Sequence, residues 1–213
     1  VATQPPLTSS PAAHGLPDDL RGTQPERRKR IVDTAVELLR EGRGENIEVR
    51  DVAAHAGVAL GTVYRYMGSK DRLFAEAYQQ WAEARLADLA TSAAKGRNNT
   101  ERLRRIALGF LEAFANEPQF LHLVRVDLAA SIEPAVRSVL EEVIAGFLAI
   151  CTDALEGIDA ADVKTIAVIV LSVVFFSLDQ LTLRDISLDK VKRGVAIAMK
   201  TIIEFRDPTL PAA

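Results

Sequence analysis

The 213 residues predict an all-α fold of about nine helices, and three observations carry that expectation. Apolar residues recur at three- and four-residue spacing along most of the chain. Glycines, prolines and capping residues fall between these stripes. No run alternates apolar and polar residues between hairpin turns, as a half-buried strand would. The length allows a sizeable core in one unit or two.

The leader Val1 to Gly22 carries prolines at 5, 6, 11 and 17, without a charged start or an apolar run, and reads as a disordered tail rather than a secretory signal. Thr23-Gln24-Pro25-Glu26 then opens the first helix as a capping box with proline in the first turn. Ile31, Ala35, Leu38 and Leu39 share one face, and Gly42 and Gly44 end it. A short helix from about Val49 to His55 stops at Gly57, and another runs from about Leu60 to Tyr66. Gly68-Ser69 closes that one, and Ser69 caps a long fourth helix reaching about Ala94 with Leu73, Ala77, Trp81 and Ala84 in a stripe. Further helices are expected over 101–116, from Phe120 to about Ala130 between Pro118 and Pro134, over about 135–155, over about 160–183, and from the Ser187 cap to about Phe205. The domains expected are the leader 1–22, a small helical domain 23–68, a larger one 69–206 and a tail 207–213.

The run TIAVIVLSVVFFSL, Thr165 to Leu178, holds 14 residues, short of the roughly 20 a membrane span needs. It is expected to be a helix buried on nearly all sides, with no membrane association. Cys151 is the only cysteine, which fits a reducing, cytoplasmic setting. His14, His55 and His122 are far apart in sequence, so neither a metal site nor any cofactor is expected.

Two short helices joined at Gly57-Val58 have the form of a helix-turn-helix. Val52, Val58, Val63 and Met67 supply the seat, leaving Leu60, Gly61, Thr62, Tyr64, Arg65 and Tyr66 outward. Gly61 and Thr62 allow close approach to bases, and the tyrosines and Arg65 can hydrogen-bond phosphate oxygens. Lys70 adds a charge where helix N–H groups already favour an anion. The net charge of −3 disfavours indiscriminate nucleic-acid binding. Yet residues 21–70 hold 10 basic against 7 acidic side chains, while 71–213 hold 16 against 20. The single basic block therefore contains this motif.

Arg30 to Tyr78, and above all VRDVAAHAGVALGTVYRYMGSKDRLF, resembles the N-terminal domain of the TetR family of transcriptional repressors. The resemblance covers about a quarter of the chain. It implies contacts to a double-stranded DNA operator from Leu60, Gly61, Thr62, Tyr64, Arg65, Tyr66 and Lys70, with backbone contacts from Arg50 and from Arg27 or Arg28. Glu48 and Ala59 stand where the family often has serine or threonine, so a cap and a phosphate contact are missing or replaced. Leu60 stands where a polar residue is common, which suggests contact with a thymine methyl. The resemblance also implies that the last two helices pair with a second copy into a homodimer reading a palindrome. Phe175, Val191, Val195, Met199 and Ile202 are the interface candidates.

The larger domain is expected to hold an apolar cavity for a small-molecule effector of lipid-like character, such as a fatty-acyl, steroid or polyketide compound. Its candidate residues are Phe110, Phe114, Phe120, Val124, Phe147, Cys151 and Phe176, with Arg125 and Asp127 as orienting groups. No nucleophile, base and metal set converges, so no catalytic residue is assigned and an enzyme is not expected. A helical cavity enzyme and a scaffold that never meets DNA are the rival classes.

Overall fold

The computed structural model describes residues 23–43, 47–183 and 186–204. The leader, Gly44 and the tail 207–213 lie outside the described residues. Among the described residues nine α-helices follow one another: α1 (Gln24–Leu38), α2 (Val49–His55), α3 (Leu60–Met67), α4 (Lys70–Ala93), α5 (Asn99–Asn116), α6 (Pro118–His122), α7 (Pro134–Ala154), α8 (Ala160–Leu183) and α9 (Leu188–Glu204). Among the described residues there is no strand. Two of the caps are those the sequence predicts, and Asn98 adds a third that starts α5 two residues earlier than expected. Glu26 accepts from the Thr23 N–H at 2.6 Å, Ser69 Oγ from the Arg72 N–H at 3.1 Å, and Asn98 Oδ1 from the Glu101 N–H at 2.8 Å.

Two stretches depart from the expected regular helix. Leu39–Arg43 continues α1, and Leu123–Leu128 continues α6, both in π winding. The helix expected from Phe120 to about Ala130 is therefore one α turn followed by a wider, less stable one.

Helix α4 is the spine of the molecule: it packs against α1 on one side and against α5 and α7 on the other. Its indole, Trp81, is 1% exposed and lies parallel to Phe120, with ring centroids 4.6 Å apart, and 5.0 Å from Phe114. Phe110 stands edge-on to Phe114 at 5.1 Å and meets Phe147 at 5.1 Å. These aromatics fill the centre of the larger domain at the separations such pairs prefer.

Helices α8 and α9 differ most from expectation. The apolar run in α8 extends over Ala160–Leu181, long and apolar enough to cross a membrane by length and composition alone. Length therefore does not exclude a span, as the shorter count had suggested. Nor is α8 buried all round. Val163, Ile166, Ala167, Val170, Val174 and Leu178 pack inward, whereas Val168, Ile169 and Phe176 are 52%, 39% and 63% exposed. Phe176 thus points away from any interior cavity, while Phe175 meets Phe110 and Phe114 at 6.0 and 5.9 Å. The ring expected inside is thus the outer one, and the ring expected at the subunit contact packs on the core. On α9, Val191, Val195 and Met199 are buried within the chain, where the helix packs on α5 and α8, and Ile202 is half-buried. The outward apolar residue of α9 is Ile197, 67% exposed. The chain's own core takes the strong stripe first.

Candidate nucleic-acid interface and effector cleft

Helix α3 is held by Val63 and Met67, 0% and 1% exposed, against the seat made by Val52, Ala53 and Val58. Gly57 enters the turn at φ 67° and Gly68 leaves the helix at φ 83°, a region open to glycine at little steric cost. The exposed residues of α3 form two adjacent rows, Leu60 with Tyr64 and Gly61 with Arg65. Leu60 and Tyr64 are each 44% exposed.

Thr62, expected outward, is 8% exposed. It shares the i, i+4 row of half-buried Tyr66, whose phenol accepts from Arg27 Nη1 at 3.5 Å, so this row leans toward α1. Arg28 is also redirected. Its guanidinium donates to the Tyr66 carbonyl at 2.7 Å and pairs with Glu76 on α4, so it clamps α3 to α4 instead of reaching outward. The cationic rim consists of Arg27, of Arg65 lying 5.2 Å over the Tyr66 ring, and of exposed Lys70 in the first turn of α4. The hydrogen bond from Arg27 holds the Tyr66 phenol below its usual pKa, with the Arg65 charge adding to it. Arg50 is exposed, its Nε 3.1 Å from Glu48.

The two departures noted in the sequence have different outcomes. Glu48 does cap α2, in a reciprocal arrangement in which Asp51 accepts from the Glu48 N–H at 2.9 Å. Ala59 leaves α3 without a side-chain cap. Ala59→Ser is expected to raise stability by about 0.5–1 kcal/mol, read as a higher urea midpoint at unchanged slope. A lowered midpoint would mean that the extended Ala59 backbone does not present a serine hydroxyl to the helix N–H groups.

In the larger domain, Phe110, Phe120, Phe147 and Cys151 are buried in contact with the core. Burial pushes the Cys151 thiol up to about 12, leaving negligible thiolate at neutral pH. Phe114 also forms one wall of an apolar cleft of about 230 Å³, together with Pro118 and Leu121 from α6, Leu178 and Leu181 from α8, and Leu188 from α9. Val124 is half-buried and packs on the core. Asp127 is exposed, and Arg125 pairs with Asp179 on α8 and lies 6.0 Å over Phe175. The π winding turns Asp127 outward, away from the core. Among the described residues no group of three His, Cys, Asp or Glu is placed to hold a metal ion.

Sequence reasoning missed Glu117. Its carboxylate accepts from Trp81 Nε1 at 2.6 Å and from Arg40 Nε at 2.9 Å, with Arg85 Nη1 at 3.9 Å. The available signal was the lone tryptophan on an apolar stripe, because a buried indole N–H requires an acceptor. Ser131, between the π stretch and α7, donates to Asp71 at 2.6 Å in the first turn of α4.

A seated helix with a bare outer face, cationic flanks and an attached helical body has the form of a helix-turn-helix module joined to a larger set of helices. Residues 31–77 match the family described as bacterial regulatory proteins, tetR family. The chain is 36% identical over 111 residues to the HTH-type transcriptional repressor KstR of Rhodococcus jostii (strain RHA1), a match covering 52% of this chain and 51% of that protein. The chain thus spans about half the length of that curated relative. It is 28% identical over 139 residues to the fatty acid metabolism regulator protein of Bacillus subtilis (strain 168), covering 63% of this chain and 69% of that one. Its fold resembles that of the transcriptional regulator FadR from Bacillus subtilis in complex with stearoyl-CoA. The TM-score is 0.62 at 17% identity, over 82% of this chain and 97% of that one, a likeness of fold alone.

Proposed function

We propose that the protein is a transcriptional repressor that binds a palindromic operator as a homodimer and is released by a small apolar or amphipathic ligand. The observation that carries DNA binding is the outer face of α3. Leu60, Gly61, Tyr64 and Arg65 are exposed on a helix fixed from behind, with Arg27, Tyr66 and Lys70 at its edge. Leu60 reads a thymine methyl, while Tyr64, Arg65 and Lys70 take phosphate oxygens. The homodimer is supported by the exposed face of Val168, Ile169 and Phe176 on α8 and Ile197 on α9. Two-fold pairing through this face sets two copies of α3 about one DNA turn, or a multiple of it, apart. An acyl-type ligand is favoured by the apolar cleft and by the stearoyl-CoA held by the Bacillus neighbour. The site of action is the cytoplasm.

Footprinting on the promoter of its own or a neighbouring gene tests the reading, and no protection at low salt would sink it. Lys70→Ala is expected to weaken binding across sequences and to lower the salt slope by about 1. An unchanged slope would remove Lys70 from the phosphate contacts.

A further inference from the structure

Glu117 occupies the corner between α5 and α6, and the cleft-lining residues Phe114 and Pro118 stand on either side of it in sequence. Its carboxylate is divided between two structural units. One oxygen accepts from Arg40, in the π stretch that ends α1, and the other from Trp81 on α4, with Arg85 of the same helix nearby. The side chain is 19% exposed, so exchanging these partners for water in place is costly. Trp81 in turn lies against Phe120 of α6 and against Phe114 on the cleft wall. Downstream, the segment is tied again to α4, by Ser131 to Asp71, one residue from Lys70. The segment 117–131 is therefore a strap tied at its start to the end of α1 and the middle of α4 and at its end to the first turn of α4, and the cleft runs along its first turn.

We propose that this cleft takes the apolar chain of an anionic amphiphile, and that Glu117 is the positioning residue through which its occupancy reaches α1 and α4. The inference rests on the repressor reading above and names the route by which that site is regulated. The occupant follows from the lining, since Phe114, Pro118, Leu121, Leu178, Leu181 and Leu188 offer no polar side-chain group, so any head group remains outside. Arg125, four residues beyond Leu121, carries the complementary charge. It is held by Asp179, the neighbour of Leu178, and an anionic head competes with that carboxylate. The volume of about 230 Å³ exceeds the roughly 150 Å³ that lodges a benzene ring, and suits part of an acyl chain. A chain wedged between Phe114 and Leu121 displaces Pro118, and the Glu117 carboxylate moves with it. Arg40 and Trp81 must then follow or lose their partner. Because breaking a half-buried ionic hydrogen bond is costly, the corner has two arrangements rather than a continuum.

Trp81 is the only tryptophan in the chain, so its emission reports the Glu117 contact directly. The full-length protein would be titrated with stearoyl-CoA, with coenzyme A alone as control. Binding would be followed by calorimetry, the contact by Trp81 emission, and release by anisotropy of the footprinted promoter fragment. The wild type is expected to show a saturable change in Trp81 emission and a loss of promoter affinity of about tenfold or more. Glu117→Gln is expected to bind stearoyl-CoA as the wild type does and to bind DNA without it, yet to lose most of the ligand-driven release. Arg40→Gln breaks the same link from its exposed end and is expected to uncouple alike, which guards against a folding defect in Glu117→Gln. Ala115, beside Phe114, also lines the cleft, and Ala115→Leu, which narrows it, is expected to abolish the emission change.

Several results would overturn the proposal. They are stearoyl-CoA binding that leaves Trp81 emission unchanged, wild-type release by both Glu117→Gln and Arg40→Gln, or no binding of stearoyl-CoA at all. Absence of promoter binding by the untreated wild type would instead defeat the repressor reading. The calorimetric and emission arms would still judge the cleft.

Discussion

Phe176→Asp together with Ile197→Asp is expected to yield a monomer by light scattering and to lower promoter affinity by about a hundredfold or more. Both side chains are more than three-fifths exposed in the single chain, so their replacement removes little internal packing, and thermal stability per chain should change by under about 1 kcal/mol. A two-fold interface repeats each substitution on both subunits, so four carboxylates enter it and their desolvation is incurred on both sides at once. The DNA consequence follows from effective concentration, because one half-site no longer presents the second. A dimer that survives both substitutions would place the subunit contact on another face. As an internal control, Val195→Ala is expected to destabilise the monomer through the lost contact with the core, since Val195 is 1% exposed within the chain.

Gly61→Ala is expected to move stability and function in opposite directions. A Cβ at Gly61 meets nothing within 4 Å, and the residue lies in ordinary helix in the second position of α3. Nothing inside the protein calls for glycine there, and alanine should raise stability by about 0.5 kcal/mol by restricting the unfolded chain. On DNA the same methyl stands between the helix backbone and the groove. Promoter affinity should fall by about tenfold, a cost similar to that of a mismatched base pair. A melting curve and an anisotropy titration on the same preparation read both. Undiminished affinity would show that the α3 backbone does not approach the bases at Gly61.

The seat of α3 was legible because local rules agree there: Gly57 sets the corner, and Val63 and Met67 repeat at i, i+4. Thr62 was not legible. Its burial depends on where α1 passes, and the period of α3 says only which residues are neighbours, not which row another helix covers. The pair Phe175 and Phe176 exposes a different limit. An unbroken apolar run has no polar residues to mark a face, so which ring meets Phe110 is decided by packing alone. On α9 the strongest stripe was read as an intersubunit surface. An amphipathic face shows that something must cover it without telling whether the cover is α5 or a second copy. Phe114 stands among the aromatics singled out, whereas Leu121 of α6 lies far in sequence from the leucines of α8 and α9 and meets them only in the fold. Glu117, beside a proline at a helix start, reads as an ordinary solvated residue until Trp81 is placed next to it.

The π-wound stretch Leu123–Leu128 has a consequence for how this sequence can change in length. A π turn carries more residues than an α turn, about one extra in each such segment. Deleting a residue from a regular helix rotates everything beyond it by about 100° and would carry Ser131 away from Asp71. Within Leu123–Leu128 the deletion would tighten the winding to the α form and leave both ends of the strap in place. The region between the cleft and α7 is thus where the chain can shed a residue and keep its register, a tolerance that α4, the spine, does not share.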